Sequence, residues 1–124
     1  MSISPSHRSK VIEPVLLEAK IAASRVELSL AISHNLIYFR GHFPSFAILP
    51  GVVQIEWVMG YAKRYFPLEN ASAGNLRVKF RRPILPGDRL LLTLDYQPLR
   101  NQLEFTYAGP TGIASSGRIG LERL

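Results

Sequence analysis

Leu49-Pro50-Gly51-Val52-Val53-Gln54-Ile55-Glu56-Trp57-Val58-Met59-Gly60-Tyr61-Ala62-Lys63-Arg64-Tyr65 is the stretch on which the fold turns. Pro50 suits the first turn of a helix, where its missing N–H costs nothing, and Gly51 lets a ligand approach the backbone there. Pro67 closes the helix at about Tyr65. Val52, Val53, Ile55, Trp57, Val58, Met59, Tyr61 and Ala62 cover almost the whole circumference, and a helix that is apolar all round is expected to be buried. Lys63 and Arg64 come only in the last turn, where cations favour the negative end of the helix dipole. Glu56 is the exception, a carboxylate on an otherwise apolar rod.

The chain on either side of this helix has the period of strands. Val11 to Lys20 is ambiguous, and Pro14 argues against a central position, so a short edge strand is expected. From Ser24 to Ser33 the pattern is clear: Val26, Leu28, Leu30 and Ile32 alternate with Glu27, Ser29, Ala31 and Ser33, which marks a half-buried strand. His34 to Leu49 has neither period and reads as a structured loop, with His34 beside Asn35 serving a turn. A polar connection from Glu69 to Gly74 leads to four strand-like runs, Asn75–Arg82, Arg89–Gln97, Gln102–Ala108 and Ile113–Leu121. The turn signals between them are Pro86-Gly87-Asp88, Leu99 to Asn101 and Gly109-Pro110-Thr111-Gly112. One long helix and an antiparallel sheet of five to six strands predict an α+β domain in which the sheet wraps the helix. Residues 1–10 lack periodicity and read as a mobile arm, leaving 11–124 as a single domain.

At 124 residues and 47% hydrophobic content the chain supports one sizeable core. It has no cysteine, which excludes disulfides, a thiol nucleophile and a thiolate metal site. Met1 to Lys10 carries no apolar signal region, and no apolar run approaches the ~20 residues that a membrane span needs, so a soluble cytoplasmic protein is expected. The net charge of +6 raises the question of nucleic acid. The densest cations, Arg77, Lys79 and Arg81, alternate with Leu76, Val78 and Phe80, the pattern of one solvated face of a strand whose other face is core. That favours a solubilising face or an acidic protein partner over nucleic acid. His7 and His34 lack acidic neighbours at metal-ligand spacing, and no phosphate-binding glycine loop or Gly-x-Ser-x-Gly elbow is present.

His42 precedes Glu56 by fourteen residues, with the Pro50-Gly51 helix start between them. A carboxyl in an apolar helix is costly to ionise, so a buried Glu56 is expected to have a raised pKa and to donate a proton, while a histidine near neutrality takes one. The plainer alternatives stay open: a histidine among aromatics is often structural, and a buried glutamate often pairs with an arginine. The N–H groups around Gly51 and Val52 carry the positive end of the dipole and suit a developing oxyanion. At ~1.5 Å rise per residue Glu56 lies roughly 7 to 8 Å along the axis from Gly51, a span suited to a carbonyl and its β-substituent. An enolate-like intermediate fits this layout better than peptide or phosphate hydrolysis does.

The runs Phe39-Arg40-Gly41-His42-Phe43-Pro44 and Leu49-Pro50-Gly51-Val52-Val53-Gln54-Ile55-Glu56 resemble the active-site segment of hot-dog-fold 3-hydroxyacyl-(acyl-carrier-protein) dehydratases of the FabZ/FabA type. Lys79-Phe80-Arg81-Arg82-Pro83-Ile84-Leu85-Pro86-Gly87-Asp88 resembles their second signature, and the likeness runs from about Ser24 onward. It implies that His42 removes the α-proton of a 3-hydroxyacyl thioester while Glu56 protonates the departing β-hydroxyl, leaving the trans-2-enoyl thioester. Gly51 N–H and Phe43 N–H would hold the thioester carbonyl. The resemblance implies no metal or redox cofactor, the substrate arriving on the phosphopantetheine of acyl-carrier protein. It further implies a homodimer joined sheet edge to sheet edge, each site taking His42 from one protomer and Glu56 from the other. A second dehydratase-like subunit is the alternative partner. Lys63, Arg64, Arg77, Lys79, Arg81 and Arg82 are the candidate surface for the acidic carrier protein. Gln54 and Trp57 resemble dehydratases of aryl polyene pigment clusters, and Trp57, Phe46 and Val53 are candidates for the substrate tunnel; Trp57 serves equally well as a core or interface residue. Ser45 and Ala47 depart from the family's usual Gly and Pro, which bears on the shape of the loop. Two other functions fit the same fold, an acyl thioesterase and a non-catalytic acyl-binding subunit of a dehydratase complex.

Overall fold

Helix α1 runs from Gly51 to Tyr65 in the computed structural model, which describes residues 11–40 and 47–123. The arm expected at residues 1–10 and the candidate site residues His42, Phe43 and Phe46 lie outside the described residues. Pro50 is the N-cap of α1, with extended backbone at φ −60° and ψ 145°. Its carbonyl accepts the N–H groups of Val53 at 3.1 Å and Gln54 at 3.2 Å. The helix ends at Phe66, whose N–H still reaches the Ala62 carbonyl at 2.9 Å before Pro67 forbids a further turn.

Six strands form one antiparallel sheet: β1 (Val15–Ile21), β2 (Arg25–Ala31), β3 (Ala71–Phe80), β4 (Arg89–Gln97), β5 (Gln102–Gly109) and β6 (Gly112–Arg123). Their order is β1-β2-β4-β5-β6-β3, so β1 and β3 are the edges. The alternation in the sequence sets the inner face. Val26, Leu28 and Leu30 of β2 pair with Leu94, Leu92 and Leu90 of β4, and Leu92 and Leu94 pair onward with Tyr107 and Phe105 of β5. All of these are buried together with Val53, Gln54, Trp57, Val58, Tyr61 and Ala62 of α1, so the helix lies on this face. Each fully buried leucine contributes roughly 1.5–3 kcal/mol, enough for these rows to fix the register by themselves.

The turn at Pro86-Gly87-Asp88 forms as the sequence predicts. Gly87 takes φ +89°, a conformation open to glycine, and the Asp88 carboxylate accepts the Leu85 N–H at 2.9 Å. Gly87 N–H donates to the Ile32 carbonyl and Ile32 N–H to the Asp88 carbonyl, which fastens the turn to the end of β2. His34 packs over Gly87, and the Ser33 hydroxyl and carbonyl accept the Asn35 and Leu36 N–H groups, so the turn role of this segment holds.

Three expectations are overturned. The connection expected through Gly74 is strand from Ala71: Ala71, Ser72 and Ala73 pair with Arg123, Glu122 and Leu121 of β6, followed by a bulge before Leu76. Backbone pairing decides this, and small residues give no β signal. The helix is also not buried all round. Val52 is 67% exposed and Ile55 and Met59 are partly exposed, because the sheet covers only one side of α1. The apolar residues of β3 expected in the core behave likewise, Leu76 being 49% and Phe80 55% exposed. No helix among the described residues is long and apolar enough to cross a membrane.

Candidate active site

Gln54 sets the start of α1. It is buried, its side-chain amide donates to the Leu49 carbonyl at 3.3 Å, and its side-chain oxygen accepts the Ser115 hydroxyl of β6 at 2.7 Å. Tyr107 of β5 donates its hydroxyl to the Gln54 backbone carbonyl at 2.7 Å. Burial pushes the Tyr107 hydroxyl well above its ordinary pKa, so it stays a donor. Leu49 N–H in turn donates to the Ile84 carbonyl, so the residues before the helix are held from two sides.

Gly51 follows as the first helical residue, half-buried, its N–H bonded to no acceptor among the described residues. Gly51 is close to Phe80 of β3: a Cβ there would stand 2.6 Å from the ring's Cζ. From this point a cleft of about 730 Å³ runs between α1 and β3, walled by Val52, Ile55 and Met59 on one side and Leu76, Val78 and Phe80 on the other. Glu56 borders it. The carboxylate is exposed in this chain, so the burial expected for it is not supplied by this chain alone.

Glu56 also borders a second, smaller pocket of about 210 Å³ on the other side of the helix, walled by Tyr38, Trp57 and Tyr61 with Ile12, Glu13 and Arg64. Trp57 is 6% exposed, donates its indole N–H to the Ile12 carbonyl at 3.0 Å, and meets Tyr38 edge to face at 6.4 Å. It is thus both core and pocket wall. Burial pushes the Tyr61 hydroxyl up to about 12 against the opposing pull of the Arg64 charge, which lies over its ring. Val53, a tunnel candidate, is buried against the sheet; one residue earlier on the helix, Val52 is the one that faces the cleft.

The candidate docking cations do not form one patch. Arg81 and Arg82 sit beside Pro50 and Gly51 at the start of α1, whereas Lys63 borders the cleft about 18 Å further along the helix axis. Arg64 is turned to Tyr61 and Glu13, 3.9 Å from the latter's carboxylate. Arg77 and Lys79 are exposed on β3. Among the described residues no three His, Cys, Asp or Glu side chains are grouped as a metal would need. Sequence reasoning missed Tyr38, Tyr61 and Gly60, which border these spaces; a glycine in the middle of a helix was the one available signal.

A family profile described as ApeI-like, ApeI dehydratase, matches residues 18–118. The chain belongs to this family. Membership makes it a hot-dog dehydratase and accounts for the helix cradled by an antiparallel sheet. The 3-hydroxyacyl-(acyl-carrier-protein) dehydratase FabZ of Clostridium perfringens (strain SM101 / Type A) is 32% identical across 86% of this chain and 86% of its own. The FabZ of Koribacter versatilis is 34% identical across 70% of this chain, which spans 63% of that relative's length. A chain of a solved structure, the dehydratase heterocomplex ApeI:P from Xenorhabdus doucetiae, is 35% identical with a TM-score of 0.83, covering 90% of this chain and 99% of that one.

Proposed function

We propose that this hot-dog dehydratase converts a 3-hydroxyacyl thioester on acyl-carrier protein to the trans-2-enoyl thioester, with His42 as the base and Glu56 as the acid. The observation that carries the reading is the position of Glu56, on the wall of an apolar cleft about one and a half helical turns from Gly51, which lines the same cleft. The thioester carbonyl accepts the Gly51 N–H, with the Phe43 N–H as second donor, and the developing enolate is stabilised at the positive end of α1. His42 takes the α-proton, and the C–O bond at the β-carbon breaks as Glu56 delivers the proton that makes the leaving group water. Both protons move between side chains and substrate, so no cofactor is required.

The cleft is open in the single chain, which supports a second protomer joined along β3. Its apolar face would close over Val52, Leu76 and Phe80, remove Glu56 from water and bring the partner's loop to the site. The similarity to a chain of the Xenorhabdus dehydratase heterocomplex supports a second reading, in which a dehydratase-like subunit of different sequence takes that place. Arg81 and Arg82 flank the start of α1, where the pantetheine arm would enter, and are the cations best placed to meet an acidic carrier protein.

The test is formation of the conjugated enoyl thioester from a 3-hydroxyacyl-carrier protein, followed by its absorbance and by free thiol. Absorbance without thiol is the expected result. His42→Ala and Glu56→Gln should each lose ~10²-fold or more in rate. Wild-type turnover in both variants, or release of thiol in place of enoyl product, would remove this assignment.

A further inference from the structure

Gly60 is the least explained residue of α1. Glycine is among the poorest residues for a helix interior, and it is usually kept there because something packs too close for a side chain. A Cβ at Gly60 would meet nothing among the described residues within 4 Å. What adjoins it is space on two sides, since Gly60 borders both the 730 Å³ cleft and the 210 Å³ pocket. Glu56, one turn earlier on the same face, is the only other residue among the described ones that lines both.

We propose that the bare backbone at Gly60 is a passage through which the substrate's acyl tail leaves the cleft beside Glu56 and enters the pocket walled by Tyr38, Trp57 and Tyr61. The inference rests on the dehydratase reading and adds to it the element that selects the acyl chain. The pocket suits an apolar occupant because two of its polar tips are engaged: the Trp57 indole N–H and the Tyr38 hydroxyl both donate to the Ile12 carbonyl, at 3.0 and 3.4 Å. Its outer wall includes the Glu13–Arg64 pair at 3.9 Å, whose side chains are 63% and 52% exposed. Such a pair adds little stability, so that wall yields to a longer tail. A volume of 210 Å³ equals about seven water-sized groups, enough for the distal methylenes of a medium chain or for a ring. A four-carbon acyl group, reacting at Glu56, ends before the passage.

The experiment compares 3-hydroxybutyryl and 3-hydroxydecanoyl thioesters of carrier protein on wild type, Gly60→Ala and Gly60→Leu. The expected result is a fall of at least about 10-fold in the decanoyl-to-butyryl ratio of kcat/KM for Gly60→Leu, with Gly60→Ala between it and wild type. Gly60→Ala should melt no lower than wild type, because alanine is the better helix former and its Cβ meets nothing among the described residues. An unchanged ratio in Gly60→Leu overturns the passage while leaving dehydration standing. So does a changed molecular mass of Gly60→Leu in solution, which would assign the glycine to close packing by a second chain. Failure of wild type to dehydrate either thioester overturns the dehydratase reading and the passage with it.

Discussion

Gln54 and Ser115 are the buried polar residues among the described ones, and together with Tyr107 they tie the first turn of α1 to β5 and β6. Such a cluster stabilises only when each member is satisfied, and no buried side-chain polar atom among the described residues lacks a partner. Two of the three buried tyrosines, Tyr61 and Tyr107, have a consequence for pH. Burial raises the Tyr61 hydroxyl from the ordinary value of 10.0 to about 12 and moves Tyr107 in the same direction. The unfolded chain therefore releases these protons first as pH rises. The contribution of Tyr61 is complete below about pH 10 and is lost between about 10 and 12. Denaturant midpoints should fall in that window, and less steeply for Tyr61→Phe than for wild type. Equal slopes in the two proteins would show that Tyr61 titrates the same way folded and unfolded.

At the level of elements, the strands were legible because one residue in two is a large apolar side chain: Leu28, Leu92 and Leu103 leave no choice of face. The start of β3 was not, since Ala71, Ser72 and Ala73 are held by pairing to β6 alone. The helix was legible in its length and ends but not in its orientation. A rod that is apolar on every side does not say which side meets its own sheet and which meets something else, and here Val53 and Val52 part company. The same contact explains Gly51. An alanine there leaves the amide in place but puts its Cβ 2.6 Å from the Phe80 ring, which is half exposed and can swing aside into the cleft. If the cleft is the reacting centre, as proposed, Gly51→Ala should fold normally and lose about 10-fold or more in turnover, a cost typical of a displaced wall. Adding Phe80→Ala should recover most of that loss, because the clash is with this one ring. Loss that persists in the double variant would place the effect in the helix start itself.

For the molecule as a whole, the sequence motif linked His42 to Glu56 along one chain, while the geometry leaves Glu56 facing an open cleft at a sheet edge. In the proposed reaction Glu56 gives up a proton beside the substrate, and a second chain over β3 would close this open side of the cleft. The exposed row Val52, Leu76 and Phe80 is apolar and contiguous with the site, whereas Leu91, 40% exposed, lies on the opposite face of the sheet. Leu76→Arg and Leu91→Arg therefore make a matched pair. Light scattering should give wild type and Leu91→Arg about twice the 13.9 kDa of one chain, with Leu76→Arg at the single-chain mass. Leu76→Arg should also lose dehydration if, as proposed, each site takes one residue from either protomer, and should keep its fold, because Leu76 lies outside the buried core. A dimeric Leu76→Arg would move the joint away from β3. A monomeric variant with full activity would show instead that His42 and Glu56 of one chain suffice, and that the fourteen-residue link joins true catalytic partners.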